Sequence, residues 1–305
     1  MGSLSTANVE FCLDVFKELN SNNIGDNIFF SSLSLLYALS MVLLGARGET
    51  EEQLEKVLHF SHTVDSLKPG FKDSPKCSQA GRIHSEFGVE FSQINQPDSN
   101  CTLSIANRLY GTKTMAFHQG KNVTVEMMYQ IGTFKLAFVK EPQMQVLELP
   151  YVNNKLSMII LLPVGIANLK QIEKQLNSGT FHEWTSSSNM MEREVEVHLP
   201  RFKLETKYEL NSLLKSLGVT DLFNQVKADL SGMSPTKGLY LSKAIHKSYL
   251  DVSEEGTEAA AATGDSIAVK SLPMRAQFKA NHPFLFFIRH THTNTILFCG
   301  KLASP

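Results

Sequence analysis

The chain has 305 residues, of which 42% are hydrophobic and 19% charged, and this composition excludes the disordered, fibrous and membrane-embedded classes of protein. Its formal net charge is -1 and it contains no block of basic residues, so neither nucleic acid nor an anionic membrane is expected as a partner. The four cysteines contain no CxxC pair, which argues against a zinc site or a disulfide framework and favours a reducing, intracellular compartment.

The N-terminal segment predicts an amphipathic helix, because Phe11, Val15 and Leu19 recur every four residues. It lacks the cationic start and the apolar core of a cleaved secretory signal, so we expect a cytoplasmic protein. Gly2 and Thr6 also fit the loose pattern for N-myristoylation, which leaves a lipid anchor open beside the docked helix.

Three further helices are predicted before residue 100. The uncharged stretch 28–46 is nearly long enough to span a bilayer, but its serines and its tyrosine favour a helix buried in protein, with Ser32 as the N-cap. Thr50 and Gln53 predict a capping box at the start of the next helix. The third helix is marked by apolar residues at helical spacing, namely Ile83, Phe87, Phe91 and Ile94.

From residue 101 the pattern changes to that of β-strands. Apolar and polar residues alternate in TLSIANRLYG, KNVTVEMM and EREVEVHLP, and in the last of these Val195, Val197 and Leu199 share one face. The segments MQVLELPYV and LSMIILLPV are separated by Asn-Asn-Lys at 153–155, which predicts a hairpin. Its second strand is apolar enough to be buried on both faces.

Two helices interrupt these strands. The first carries Leu169, Ile172 and Leu176 on one face, and the second ends at Gly218. Strands return at LYLSKAIHKSYLDV, HPFLFFIRH and NTILFCG. Helices followed mainly by strands form the order of an α+β fold with antiparallel sheets, and we expect a single domain over residues 1–305.

Neither a metal site nor an enzyme is predicted. His290 and His292 would share a face on a strand, but no third ligand is spaced nearby, so we expect a solvent-facing strand end. The triplet Gly264-Asp265-Ser266 is similar to the surroundings of a nucleophilic serine in some hydrolases, but no GxSxG turn accompanies it. The chain contains no P-loop, GxGxxG or HExxH motif, and we expect no cofactor.

The run EEGTEAAAATGDSIAVKSLP at 254–273 buries little apolar surface, and its composition leaves a short helix and a linker equally open. Its first ten residues resemble the hinge of the reactive-centre loop of serpins. Segments towards both ends of the chain are similar to the same family, namely NIFFSSLSLLYALSMVLLGARGET, IANRLYG, SKAIHKSYLDVS, HPFLFFI and ILFCGKLASP. The start MGSLSTANVEFCLDVFKEL resembles the ovalbumin-type, intracellular branch (clade B), for which unconventional secretion is the alternative to a cytoplasmic location.

The resemblance implies a reactive-centre loop over residues 252–276. In serpins, a target protease cuts this loop and forms an acyl-enzyme, after which the hinge inserts into the main sheet as a new strand and the protease is distorted. Small side chains cost least when they enter a packed sheet. The hinge residues implied here are Glu254, Glu255, Gly256, Thr257, Glu258, Ala259, Ala260, Ala261, Ala262 and Thr263.

The resemblance also implies the bait bond. In the family, the scissile bond follows the residue fourteen places after the hinge glycine, and counted from Gly256 this residue is Lys270, followed by Ser271. A lysine fits the acidic specificity pocket of a trypsin-like serine protease, which is the implied partner. Without the resemblance, Lys270 would be read as a solubilising loop charge.

The chain is shorter than a complete serpin. Nearly all of the deficit falls between Gln119 and Gly120, where two helices and several strands of the family are absent, as an exon-skipped isoform would explain. One lost strand neighbours the gap into which the hinge inserts, and an inserted strand needs hydrogen-bond partners on both sides. We therefore expect a non-inhibitory monomer that is cleaved as a substrate, with an active inhibitor as the alternative. Apolar sheet surface left uncovered costs roughly 25 cal/mol per Å², which also threatens the stability of the fold.

Ser31 and Ser32 occupy the place where many serpins carry Ser-Pro. Together with Asn107 and His246 they resemble the family's shutter, the region that opens for loop insertion. A serine in place of the proline would alter this opening, and the sequence leaves the direction of the change open.

Overall fold

The computed structural model of the chain describes residues 3–60, 85–89, 92, 127–151, 154–165, 169–234, 238–253 and 275–304. Its helices are α1 (Ser3–Asn22), α2 (Ser32–Gly45), α3 (Gly48–Val57), α4 (Leu169–Gln175), α5 (Ser178–Thr185) and α6 (Leu210–Leu217). Residues 85–89 are also helical, and a short 3-10 turn covers Asp221–Phe223. None of the described helices is long and apolar enough to cross a membrane.

The strands are β1 (Ile28–Phe30), β2 (Met127–Lys140), β3 (Gln143–Pro150), β4 (Leu156–Pro163), β5 (Met191–Pro200), β6 (Phe202–Glu209), β7 (Ile245–Val252), β8 (Ala276–Lys279), β9 (Phe284–His290) and β10 (Ile296–Leu302). Eight of them form one sheet in the order β1-β10-β9-β4-β3-β2-β5-β8, and its β5–β8 pair is parallel. The other two, β6 and β7, form a separate antiparallel ladder. The predicted α+β class is confirmed. The predicted strand TLSIANRLYG lies outside the described residues.

The centre of the eight-stranded sheet is buried on both faces. Every residue of β4 and β9 is buried, as the apolar run LSMIILLP predicts for β4. The predicted hairpin joins β3 to β4, and Asn154 takes a positive φ of 53° in its turn. Val195, Val197 and Leu199 of β5 are all buried, so their predicted common face is confirmed.

The β6–β7 ladder packs one face against this sheet and turns the other to solvent. On the inner face, the ring centroid of Phe202 lies 5.7 Å from that of Phe286 on β9. On the outer face, the Lys203 ammonium lies 2.8 Å from an Asp251 carboxylate oxygen, and Tyr249 is 60% exposed. This alternation is the pattern of a half-buried antiparallel sheet.

The strand predicted at LYLSKAIHKSYLDV is shorter than its apolar pattern suggests. β7 begins only at Ile245, because the preceding residues bond to helical segments instead of a strand. The Leu241 amide donates to the Leu222 carbonyl at 2.9 Å, and the Ala244 carbonyl accepts the Leu210 amide at 2.9 Å. The helix that starts at Leu210 ends at Gly218, as predicted, with a φ of 117° that favours glycine.

The predicted N-cap of α2 is wrong by one residue. Ser31 is the N-cap, since its hydroxyl oxygen accepts the Ser34 amide at 3.2 Å. Ser32 is the first helical residue, and its hydroxyl donates to the Ile296 carbonyl of β10 at 2.6 Å. The second serine therefore joins α2 to the eight-stranded sheet.

The predicted capping box of the next helix is also wrong. α3 begins at Gly48, before Thr50, and the two predicted capping side chains serve other segments. The Thr50 hydroxyl oxygen accepts the Asp229 amide at 3.1 Å. The Gln53 carbonyl oxygen accepts the amides of Thr220 and Asp221 at 2.9 Å and 3.0 Å. Tertiary contacts thus replace the local cap.

Candidate functional site

The described residues reach the two ends of the predicted reactive-centre loop. Of the predicted loop 252–276, the first residue, Val252, ends β7 and the last, Ala276, begins β8, with Ser253 and Arg275 described just inside these ends. The predicted hinge at 254–263, the bait pair Lys270 and Ser271, and the shutter residue Asn107 lie outside the described residues. Among the predicted site residues, the structure brings Ser31, Ser32 and His246 together.

β7 is paired along one edge. Its ladder with β6 runs from Phe202↔Val252 to Glu209↔Ile245 without interruption. Along its other edge, no strand from the described part of the chain pairs with it. Among the described strands, the segment that leads into the predicted hinge therefore has β6 as its single hydrogen-bonded neighbour.

His246 points from β7 into the interior and joins the ladder to the start of α2. The Ser31 amide donates to His246 Nε2 at 3.0 Å, and the Ser248 hydroxyl lies 2.8 Å from the same nitrogen. Because a backbone N–H can only donate, Nε2 is the unprotonated nitrogen of the neutral ring. We call Ser31, Ser32, His246 and Ser248 the His246 cluster.

Burial fixes the charge state of this cluster. Desolvation lowers the pKa of His246 to about 4 from an ordinary value of 6.5. The imidazole is therefore neutral at physiological pH and able to accept the Ser31 amide. Protonation at Nε2 would place an N–H against that amide and remove the hydrogen bond.

The serines extend the His246 cluster to β10. The Ser31 hydroxyl donates to the Leu297 carbonyl at 3.0 Å, beside the bond from Ser32 to Ile296. Asn8 of α1 completes this junction, because its side-chain oxygen accepts the Ile296 amide at 2.7 Å. No sequence pattern predicts this role for Asn8, since a single asparagine in an amphipathic helix has no local signature.

A second link between ladder and sheet was also missed by sequence reasoning. The Thr206 hydroxyl of β6 donates to the Phe29 carbonyl at 2.6 Å, and the Phe29 amide donates to the Tyr208 hydroxyl oxygen at 3.3 Å. Both side chains occupy the inner face in alternating positions. Polar groups at every second residue of a strand are the only sequence signal for this contact.

The predicted solvent-facing end of β9 is wrong for His290, which is buried. The turn to β10 folds over it, so that Nδ1 lies 2.9 Å from the Thr293 hydroxyl and the Asn294 amide donates to the His290 carbonyl at 2.8 Å. The rings of His290 and His292 are 5.9 Å apart. No group of three His, Cys, Asp or Glu side chains in the described ranges could hold a metal ion.

A buried ion pair lies within the eight-stranded sheet. Arg289 Nη2 is 3.0 Å from Glu148 Oε1, and Lys135 Nζ is 3.5 Å from Oε2. Burial alone would raise the pKa of the Glu148 carboxyl. The charge and hydrogen bond of Arg289 outweigh burial, with smaller contributions from a hydrogen bond with Ser157 and the charge of Lys135. The pKa of Glu148 is therefore lowered. The isolated acid in the apolar run VLELP was the available sequence signal.

Comparisons with known proteins agree over the whole chain. The family model described as "Serpin (serine protease inhibitor)" matches residues 6–120 and 111–305. Serpin B11 of Homo sapiens is 78% identical over 392 aligned positions, with 100% of both chains covered. Leukocyte elastase inhibitor of Equus caballus is 37% identical over 396 positions, again with 100% of both covered. These alignments are longer than the 305 residues of this chain, so the relatives carry residues that it lacks.

Solved structures are similar as well. Uncleaved ovalbumin matches with a TM-score of 0.75 and 31% identity over 100% of both chains. A loop-inserted structure of a cleaved ovalbumin mutant matches with a TM-score of 0.71 and 27% identity, also over 100% of both chains.

Proposed function

Because the chain belongs to the serpin family, we propose that trypsin-like serine proteases cleave it as a substrate at Lys270–Ser271 and are released instead of trapped. The relatives named as inhibitors support a protease as the partner. The lysine, fourteen places after Gly256, supports an enzyme with an acidic specificity pocket.

The observation that carries this proposal is the single paired edge of β7. Trapping a protease requires the hinge to enter a sheet as a strand, and each inserted amide and carbonyl must then find a partner. Between β7 and a second neighbour these groups would be paired on both sides. Beside β7 alone, half of them would stay unpaired, so the driving force for insertion is lost while the loop remains open to cleavage.

The proposal takes the second neighbour to have been lost with the internal deletion. The family match falls into two pieces that meet at residues 111–120, which supports an internal deletion between Gln119 and Gly120. The relatives' alignments extend over 392 and 396 positions, against 305 residues here. Within the described part of the chain, no other strand takes the place of the one that the proposal regards as lost.

The polar outer face of the ladder supports a folded substrate. Lys203, Asp251 and Tyr249 stand on the outer side of the ladder, and they tolerate water. The expected cost of uncovered apolar surface is therefore small at this face. A folded protein that presents a cleavable loop fits this arrangement.

A reducing, intracellular compartment is part of the proposal. Cys12 and Cys299 are free thiols, and both are fully buried. Desolvation and a hydrogen bond with Cys12 raise the pKa of the Cys299 thiol well above its usual value, which protects it from oxidation.

The test is incubation of the full chain with trypsin, followed by a denaturing gel and sequencing of each fragment. We expect an early cut after Lys270, a lasting core and no adduct that survives boiling in detergent. Lys270→Ala should abolish the early cut, whereas Lys247→Ala, at an exposed position of β7, should leave it unchanged. A boiling-resistant adduct would overturn the non-inhibitory part of the proposal, and an early cut elsewhere would overturn the bait bond.

A further inference from the structure

The edge of β7 that faces away from β6 lacks three common protections against pairing with another strand. Proteins often protect such an edge with a short strand, a proline or a bulge. β7 has eight residues with no proline among them, and its ladder with β6 contains no bulge. The outermost strands of the eight-stranded sheet are short, with three residues in β1 and four in β8. We call this edge, which no described strand covers, the β7 edge.

The register of the ladder shows which residues offer backbone groups to the β7 edge. Leu210 and Ala244 extend this register, and the Leu210 amide donates to the Ala244 carbonyl at 2.9 Å. Opposed residues of an antiparallel ladder alternate between pairs that exchange hydrogen bonds and pairs that do not. Every second residue counted from Ala244 therefore bonds to β6, and the residues between them direct their backbone groups to the β7 edge. These residues are Ile245, Lys247, Tyr249 and Asp251.

Three of these residues carry a charge pattern that is complementary to itself. Lys247, Tyr249 and Asp251 are all exposed, and the tyrosine lies midway between the cation and the anion. In an antiparallel pair of two β7 strands centred on Tyr249, Lys247 of each copy would lie opposite Asp251 of the other. Opposite charges in such positions stabilise a ladder.

Other registers of the same pair lack this complementarity. Residues opposite each other share a face of the sheet, so a symmetric pair must be centred on a residue. A pair centred on Lys247 would oppose two lysines, and one centred on Asp251 would oppose two aspartates. Pairs centred on Ser248 or Leu250 would bring no lysine opposite an aspartate. The charges therefore select the register centred on Tyr249.

Both charges have capacity for a further partner. Lys247 lies opposite Lys207 of β6, and like charges in opposed positions destabilise a ladder. A carboxylate on the other side of Lys247 offsets this repulsion. Asp251 binds Lys203 Nζ at 2.8 Å and the Tyr249 hydroxyl at 3.3 Å, both through Oδ2. Its Oδ1 can therefore accept a bond from a second copy.

The outer edge of β6 is less suited to this role. The charged residues near its two ends already form ion pairs within the chain. Lys203 binds Asp251, and Glu209 Oε2 lies 3.0 Å from Lys243 Nζ. A second copy at that edge would compete with both of these pairs, so it would gain fewer new contacts than at the β7 edge.

We propose that two copies of this chain associate through the β7 edge, as an antiparallel pair centred on Tyr249. The ladder becomes a four-stranded sheet in the order β6-β7-β7-β6, and Lys247, Tyr249 and Asp251 of the two copies exchange about six backbone hydrogen bonds. Two ion pairs between the copies lie on its outer face. The dimer replaces the monomer that the sequence alone leads us to expect, and it does not depend on cleavage at Lys270.

Sedimentation equilibrium of the full chain at about 1–100 µM tests this dimer, because one chain has a mass of 34.0 kDa and the dimer twice that mass. Asp251→Lys should raise the dissociation constant about 10-fold or more, since each Lys247 then faces a lysine. Lys247→Asp should act in the same way through two opposed aspartates. An equimolar mixture of the two variants should restore association, because every contact again joins opposite charges.

Glu205→Lys is the matched control, because Glu205 is exposed on β6 and faces no charge across the β7 edge. It should leave the dissociation constant within about 2-fold of the original. A chain that stays at 34.0 kDa throughout would overturn the proposal. So would a dimer that Asp251→Lys leaves unchanged, or one that Glu205→Lys alone weakens. None of these results alters cleavage after Lys270, which is measured separately.

A cross-link tests the register and replaces the charge variants if thermal unfolding shows that they do not fold. Tyr249→Cys places two thiols at directly opposed positions, where the Cα atoms are about 5.5 Å apart and a disulfide can form on air oxidation. Lys247→Cys places its two thiols about 14 Å apart along the strands, which is too far for a disulfide. Linked dimers should form with Tyr249→Cys alone. No link with this variant, or equal linking by both, would overturn the proposal.

Discussion

The eight-stranded sheet and the β6–β7 ladder are built from similar residues, but they differ in the number of neighbours. In the sheet, β4 and β9 are paired on both edges and buried on both faces. In the ladder, β7 is paired on one edge and covered on one face. The inner face of the ladder contacts the sheet through Phe202, Thr206 and Tyr208. If the proposed function holds, the sheet stays stable although the ladder beside it cannot accept an inserted strand.

The largest effect is expected where the ladder meets the sheet. Phe286→Ala should destabilise the protein by about 3–5 kcal/mol, the usual cost of removing a buried phenylalanine. Phe286 is fully buried and lies between Phe202 of the ladder and Phe29 of the sheet. Urea unfolding measures the change. Phe138→Ala, at a 54% exposed position, is the control and should cost less than about 1 kcal/mol.

The buried ion pair between Arg289 and Glu148 tests the stability of the eight-stranded sheet without involving the ladder. Arg289→Met should cost about 3–5 kcal/mol, because it leaves the Glu148 carboxylate without its main partner. Desolvation then dominates, so the pKa of Glu148 should rise above its ordinary value, whereas in the original protein it is lowered. Titration by NMR checks this reversal. A lowered pKa of Glu148 in the Arg289→Met protein would contradict the assignment, and the exposed Arg193→Met is the matched control.

A pH effect is expected from the ladder. At pH below 6.5 the unfolded chain protonates His246, but the folded protein does so only near its pKa of about 4. The unfolded state then binds more protons, so stability should fall as the pH falls from 6.5 to 4, by about 3 kcal/mol in all.

Urea midpoints between pH 7 and pH 4 measure this dependence. His246→Gln should flatten the curve in that window, while His182→Gln, at an exposed position of α5, should leave it unchanged. An unchanged slope in His246→Gln would mean that other groups cause the acid sensitivity.

The smallest effect concerns Ser32. Ser32→Ala removes the hydrogen bond from its hydroxyl to the Ile296 carbonyl and should cost about 1 kcal/mol. Ser32→Pro loses the same bond, but proline suits the first position of a helix, so its cost should be lower. Thermal unfolding compares the two, with Ser40→Ala, whose hydroxyl bonds within its own helix, as the control. If Ser32→Ala were as stable as the original chain, the hydrogen bond from Ser32 to the Ile296 carbonyl would not stabilise the fold.

Local patterns predicted those elements whose burial is dictated by their own residues. The all-apolar β4, the hairpin before it and the alternating face of β5 follow from side-chain period and turn chemistry. The end of α6 at Gly218 follows from the freedom of glycine at positive φ.

Predictions failed where a distant segment competes for the same group. Thr50 and Gln53 have the spacing of a local cap, yet they bond to Asp229 and Thr220. His290 ends a strand, yet the following turn covers it. The family resemblance named Ser31, Ser32 and His246, whereas Asn8 and Ser248 could not be predicted, because their partners are brought together only by the fold.

The most direct test of the missing neighbour of β7 is the thermal stability of the cleaved protein. The chain is cut after Lys270, the cut is verified by mass, and the unfolding midpoint is compared with that of the intact chain. If β7 has no second neighbouring strand, the freed hinge does not insert into a sheet. The unfolding midpoint should then change by less than about 3 °C. A rise of about 10 °C or more would mean that the hinge has entered a sheet as a new strand, and would contradict the proposal.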